Sequence, residues 1–199
     1  MKESVPPELN LANLRDLFVH LEGLECFIFF GTLLGFARDG DIIPHDDDID
    51  IYVNRDHLAD LRERLARTGF EIRLKPNPKW YRPRAPIYLI QASRIQNGIQ
   101  TYADFYLYEK VPDGHLLERW NFNGKWRSPH TDLHVPTDLI FPLKPAQMKG
   151  VEVMIPQDPT SVCEFLYGSR WREPVRKGDE YTMEIFENRP RITYHSRGQ

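Results

Sequence analysis

Four aspartates fall within five positions: Asp46, Asp47, Asp48 and Asp50. Like charge packed this closely is costly unless a cation neutralises it. Aspartate is also a poor strand former. Yet the order Asp48-Ile49-Asp50-Ile51 alternates with the period of a strand. Residues two apart on a strand share a face, roughly 6.5–7 Å from one another. That spacing predicts Asp48 and Asp50 on one side, with Ile49 and Ile51 turned into a core. Two carboxylates so placed suit one hard divalent cation, Mg²⁺ or Mn²⁺, better than zinc. Asp104 interrupts the aromatic run Tyr102-Ala103-Asp104-Phe105-Tyr106. It adds a third carboxylate if its strand lies beside the first. A calcium loop starting at Asp46 fails, because Ile51 and His57 stand where it needs glycine and glutamate.

Ahead of the aspartates stands Gly31-Thr32-Leu33-Leu34-Gly35. It has neither the GxGxxG spacing of a dinucleotide site nor the Lys-Ser/Thr of a P-loop. A glycine after a buried strand lets the backbone approach a ligand closely. Thr32 and the first N–H groups of a following helix make an anion site. Placed across from Asp48 and Asp50, this turn would hold a nucleotide phosphate; on its own it reads equally as a plain strand-to-helix turn. Arg38 is available either to that phosphate or to the aspartates. Lys75, Lys79, Arg82 and Arg84 surround Trp80 and Tyr81. Such a mixture of cations and rings binds a polyanion, stacks on a sugar, or forms a solvated proline-rich loop. His130 and His134 are four apart, but Asp132 and Pro136 complete no metal motif, so they read as structural.

The elements that must position these groups can be read from periodicity. Leu11, Leu14, Leu17, Phe18 and Leu21 predict an amphipathic helix over about 8–22, ended by Gly23. Residues 26–30 read as a buried strand. Thr32 is predicted to cap a short helix over 32–38, stopped by Gly40. A strand follows over 48–53. Asn54 caps a helix with Leu58, Leu61 and Leu65 on one face and Gly69 as its stop. Strands are predicted at 70–74, 87–92, 100–109 and 151–155. Pro112-Asp113-Gly114 and Asn123-Gly124 mark turns, the second reached through residues 115–122. Asp158-Pro159 is an N-cap with proline at the first helical position, leading a helix with Val162, Phe165 and Leu166 inward. Helices first, strands in the middle and a helix last argue an α+β fold with a mixed sheet flanked by helices.

Composition narrows the function classes. The chain has 199 residues, 26 Lys+Arg against 29 Asp+Glu, 41% hydrophobic residues and a net charge of −3. That suits a globular domain with a real core, and it excludes a broadly basic nucleic-acid binder. Taking away the four clustered aspartates turns −3 into +1, so the acidity is local. Cys26 and Cys163 sit in apolar contexts and read as buried thiols, too few for a disulfide framework or a four-cysteine zinc site. The first residues, MKESVPPELN, contain no apolar signal region, and the run 26–37 is too short to span a bilayer. The expected compartment is the cytoplasm, with membrane association through a partner left open.

The stretch GTLLGFARDGDIIPHDDDIDIYV resembles the signature of the LicD family, which also contains fukutin and fukutin-related protein. The family pattern is GTLLG, an arginine, then IPWDDDID. Asp104 falls where the family has a strand-borne aspartate. Pro142-Leu143, Gly150, Val153 and Pro156, then Tyr167-Gly168, Trp171 and Pro174, match later family motifs in order. The resemblance runs from about residue 10 to 175. It implies a nucleotidyltransferase-like fold of the DNA polymerase beta superfamily type. It implies one catalytic domain over 1–187, followed by a polar tail over 188–199. The implied reaction moves a phospho-alcohol, such as phosphocholine or a polyol phosphate, from a CDP-activated donor to a hydroxyl of a glycan or glycolipid.

By the same resemblance, Asp48 and Asp50 are metal ligands for Mg²⁺ or Mn²⁺. Asp104 is the third acidic residue, either completing the metal shell or taking the acceptor proton. Gly31 and Thr32 form the phosphate-binding turn, with Arg38 beside them. The family tryptophan is His45 here, a change in a donor-pocket wall. Two other activities fit the same residues: a nucleotidyltransferase that adds a nucleotide to a small molecule or protein, and a degenerate nucleotide-binding module.

Overall fold

The computed structural model describes residues 5–44, 46–76, 87–118 and 133–174. His45, the segment 77–86 with Lys79, Trp80, Tyr81, Arg82 and Arg84, residues 119–132 with Asn123-Gly124 and His130, and the tail 188–199 lie outside the described residues.

Leucine spacing makes α1 (Pro7–Leu21) as predicted, with a proline in its first turn and Leu14, Leu17 and Leu21 buried. The same face also buries Asn10 and Asn13. Asn13 Oδ1 accepts from Arg94 Nε at 2.7 Å and Gln96 Nε2 at 2.6 Å, so the helix docks on the sheet through polar groups as well as leucines.

The short strand β1 (Cys26–Ile28) leads into α2 (Phe30–Asp39). The helix begins two residues earlier than predicted. Thr32 is therefore inside its first turn and does not cap it. Strand β2 (Asp50–Asn54) starts at Asp50, not at Asp48. Asp46, Asp47 and Asp48 form the loop ahead of it, although Ile49 already exchanges backbone hydrogen bonds with Tyr102 and Asp104 at 3.1 and 2.7 Å. Asn54 caps a 3-10 turn (Arg55–His57) that runs into α3 (Leu58–Leu65).

Strands β3 (Glu71–Pro76), β4 (Ile87–Gln96) and β5 (Ile99–Val111) follow. β4 and β5 are longer than predicted and meet at Asn97-Gly98, both with positive φ, the turn that an Asn-Gly pair favours between twisted strands. β6 (His115–Glu118) and β7 (Leu133–Pro136) extend the sheet. The short α4 (Thr137–Ile140) then leads to a separate hairpin of β8 (Lys144–Met148) and β9 (Val151–Ile155). β7, α4 and β8 were not predicted. Helix α5 (Pro159–Tyr167) begins as predicted, with Asp158 accepting from Ser161 N at 3.0 Å.

The main sheet runs β1-β2-β5-β4-β3, with β6 on β5 and β7 on β6. β2 and β5 are parallel and the other described pairs are antiparallel, so the sheet is mixed. All five residues of β2 are buried, which means both faces of this strand are covered. Ile51, Val53, Phe105 and Ala103 belong to the core, together with the leucines of α1 and α3.

Cys26 and Cys163 are buried as expected, and burial pushes both thiols up to about 12. Neither should be a thiolate near neutral pH. The native protein is expected to react with a thiol-specific chromogenic disulfide only on the timescale of unfolding. Stoichiometric labelling within seconds, without denaturant, would contradict this packing.

Candidate active site

The parallel register of β2 and β5 places Asp50 directly opposite Asp104. Both are buried, at 7% and 8% exposure. The row continues across the sheet, with Gln91 of β4 opposite Asp104 and Arg73 of β3 opposite Gln91. The neighbouring row is Tyr52, Tyr106, Leu89 and Lys75. Partners in a ladder share a face, so both rows face the same side.

Asp50 is held from three directions. Its Oδ2 accepts the Gly31 N–H at 2.9 Å. Its own N–H donates to Thr32 Oγ1 at 2.8 Å, and its carbonyl accepts from Phe29 N at 3.0 Å. The Gly31-Thr32 turn is thus a clamp on Asp50. To form it, Phe30 adopts φ +39°, a left-handed conformation that is rare for a bulky residue. Its ring packs edge-on against Tyr106 at 4.9 Å and Tyr52 at 5.4 Å. Phe29 stacks on Tyr52 at 3.8 Å. This aromatic layer supports the turn from below.

Gly31 is where carboxylates crowd the backbone. A Cβ there would stand 2.9 Å from Asp46 Oδ2 and 3.2 Å from Asp50 Oδ2. The loop bearing Asp46 is tied to α1, because the buried Asn10 donates Nδ2–H to the Asp46 carbonyl at 3.1 Å. Asp46, Asp47 and Asp48 each bring a carboxylate oxygen within 4.8 Å of the others. The predicted trio of Asp48, Asp50 and Asp104 does not close to that spacing. Asp48 nevertheless stands near enough to raise the Asp50 carboxyl.

Electrostatics separate the two buried carboxyls. Burial pushes Asp50 well above the usual carboxylate range, and Asp48, Asp46 and Asp104 push it further, against the Gly31 N–H. Burial also raises Asp104, but Gln91 and Lys75 pull it back, with Asp47 opposing them. Gln91 Nε2 donates to Asp104 Oδ1 at 2.9 Å. Tyr106 has its hydroxyl raised by burial and then by Asp50, Asp104, Asp48 and Glu118, so it too lies within the field of the acids.

An all-oxygen donor set suits a hard cation. A buried carboxyl whose ionisation three neighbouring acids oppose is the charge such a cation would relieve. The residues present fit Mg²⁺ or Mn²⁺.

Arg38 lies in the last turn of α2, where its Nε donates to Asp39 Oδ2 at 2.8 Å. Its charge also acts on Cys163 of α5. Gln91 was missed from the sequence. The available signal was a polar residue inside the apolar run Ile87-Tyr88-Leu89-Ile90-Gln91-Ala92.

The family model described as LicD/FKTN/FKRP, nucleotidyltransferase domain, matches residues 23–158. The chain belongs to the LicD family. The match spans β1 to the residue before α5, and so includes the Gly31-Thr32 clamp, the aspartate loop and Asp104. This makes the chain a transferase domain of the nucleotidyltransferase type, on the mixed α+β sheet described above. No curated protein sequence matches. Among solved structures, lincosamide antibiotic adenylyltransferase LnuA with lincomycin bound is similar at 17% identity and a TM-score of 0.47. The alignment covers 77% of this chain and 82% of that one. No helix among the described residues is long and apolar enough to cross a membrane.

Proposed function

We propose that this LicD-family protein moves a phospho-alcohol from a CDP-activated donor to a hydroxyl of a glycan or glycolipid. The observation that carries the reading is the pairing of Asp50 with Asp104 across parallel strands, with the Asp46–48 loop beside them. In this reading Asp48 and Asp50, with Asp46 next to them, hold Mg²⁺ or Mn²⁺. When bound, the cation offsets negative charge on the donor diphosphate. Asp50 keeps Oδ1 for that task, since Oδ2 accepts from Gly31. Gln91 occupies Asp104 Oδ1, leaving Oδ2 to take the acceptor proton. The acceptor oxygen attacks the phosphorus that bears the alcohol. The bond from that phosphorus to the bridging oxygen breaks, and CMP leaves with the bridging oxygen. Transfers of this kind depend mainly on positioning and charge neutralisation. The Gly31-Thr32 turn contributes by fixing Asp50, and Arg38 and His45 remain candidates for the donor's phosphate and pocket wall.

The test is a panel of CDP-alcohols with an oligosaccharide acceptor, read by CMP release and by acceptor mass. Expected is Mg²⁺-dependent CMP release with a phospho-alcohol added to the acceptor. Asp48→Asn should cost on the order of 10²-fold in rate, as loss of a preorganised electrostatic group does. Near-wild-type turnover in a folded Asp48→Asn protein would sink the assignment. The family model's own description supports a second reading, nucleotide transfer to a small molecule or protein. An acceptor that gains a nucleotide mass would establish that one instead. Nucleotide binding with no turnover across the panel would leave a binding module.

A further inference from the structure

We propose that Lys75, on edge strand β3, is the side chain that receives the anionic diphosphate of the substrate. This rests on the diphosphate-donor reading above. Lys75 pairs with Leu89, and Leu89 with Tyr106. That register puts Lys75 on the face that carries Asp50, Asp104 and Gln91, in the adjoining row. It is half-buried there. It stands close enough to Asp104 for its charge to act on that carboxyl.

What sets Lys75 apart is that its ammonium is not bonded to any described residue. The other described cations of β3, β4 and β5 are tied to acids. Arg73 pairs with Glu71 at 3.0 Å, Arg94 with Asp16 at 2.7 Å, and Lys110 with Glu25 at 2.5 Å. Among the described residues, the Lys75 side chain has no hydrogen bond or ion pair. A lysine on the face of the buried acids, with no described acid bonded to its ammonium, is placed to meet an anion that arrives there. A diphosphate coordinated beside Asp48 and Asp50 would present such an anion, with the aspartates on one flank and Lys75 on the other. Lysine suits this role as a compact point charge on a flexible stem, able to follow a phosphate of variable position.

The probe is inorganic pyrophosphate with Mn²⁺, titrated into the 199-residue chain by calorimetry. Wild type is expected to bind, and Lys75→Met to bind about tenfold more weakly, as for loss of one charge-assisted contact. Lys75→Arg should stay within about threefold of wild type, because the charge persists. Mn²⁺ titrated alone should bind Lys75→Met no more weakly than wild type. Lys75→Gln provides a second neutral variant, and thermal unfolding of each protein checks its fold. Equal pyrophosphate affinity in wild type and both neutral variants overturns the role of Lys75 and leaves the donor reading intact. Weaker Mn²⁺ binding by Lys75→Met also overturns it, since the side chain would then be acting through the carboxylates. Absence of metal-dependent pyrophosphate binding by wild type overturns the donor reading itself.

Discussion

Replacing Asp50 by asparagine is expected to raise the unfolding temperature of the metal-free protein at neutral pH and to remove turnover. The two effects share one cause. Asp50 is buried, and Asp48, Asp46 and Asp104 add negative charge around it. Its folded-state pKa therefore lies well above the unfolded value. Between those two values the folded chain binds more protons than the unfolded chain, so stability falls as pH rises through that window. At neutral pH, above the unfolded value, the wild type carries a penalty that a neutral side chain does not. Asparagine keeps an oxygen for the Gly31 N–H and removes the charge. A gain of about 1 kcal/mol would shift Tm by roughly 2–4 °C for a chain of this size.

Turnover should fall on the order of 10²–10³-fold, because the charge that destabilises the empty site is the charge the reaction uses. Mg²⁺ should stabilise wild type far more than Asp50→Asn. Calorimetric melts of both proteins from pH 5 to 8, with and without Mg²⁺, check this. The Tm difference between them should widen as pH rises. A variant that melts below wild type at pH 7, or that keeps activity within tenfold, would show that Asp50 is not the strained carboxylate described here.

The part of this site legible in the sequence was the part encoded locally. The aspartate cluster and the Asp158 cap both involve neighbours a few residues away. The α1 periodicity was equally direct. What escaped was set by register. Gln91 reaches Asp104 from 13 residues away, and no local pattern states which residues two strands place face to face. Lys75 could be seen only as one member of a cationic segment, until its pairing with Leu89 put it in the row beside Asp104.

The strand starts at Asp50 and not at Asp48 for a related reason. Asp48-Ile49-Asp50 alternates, but Asp48 belongs to a loop tied to α1 by Asn10, a contact between positions 36 residues apart. Thr32 has a residue type that favours a helix cap. Its hydroxyl instead accepts from Asp50 N, an interaction that exists only once β2 lies beside the turn. β7 and β8 carry prolines at Pro136 and Pro145, and their placement depends on pairing with partners rather than on propensity.

The second glycine of Gly31-Thr32-Leu33-Leu34-Gly35 gives the other large effect, on folding. Gly35 lies inside α2, where alanine ordinarily stabilises a helix by up to about 1 kcal/mol over glycine. Here alanine is expected to destabilise. A Cβ at Gly35 would stand 2.4 Å from the Asp41 carbonyl oxygen and 3.0 Å from the Ile43 amide nitrogen. Both are backbone atoms, so no side-chain rotation relieves the contact. The chain past Gly40 folds back over this point, with the Gly40 N–H bonding to the Gly35 and Phe36 carbonyls. That returning segment leads straight into Asp46.

Gly31 differs, because the nearest atom its Cβ would meet is a side-chain oxygen of Asp46 and not a backbone atom. Gly35→Ala must move the return segment or tilt the helix. Overpacking of this kind costs about 1–3 kcal/mol, enough to outweigh the helix-propensity gain. Thermal and urea unfolding should show a lower midpoint, and weaker Mn²⁺ binding should accompany it as the aspartate loop shifts. An unfolding midpoint equal to or above that of wild type would mean that the segment from Asp41 to Ile43 does not rest on α2. The second glycine of the motif would then need another explanation than the path it leaves open for the chain that carries the aspartates.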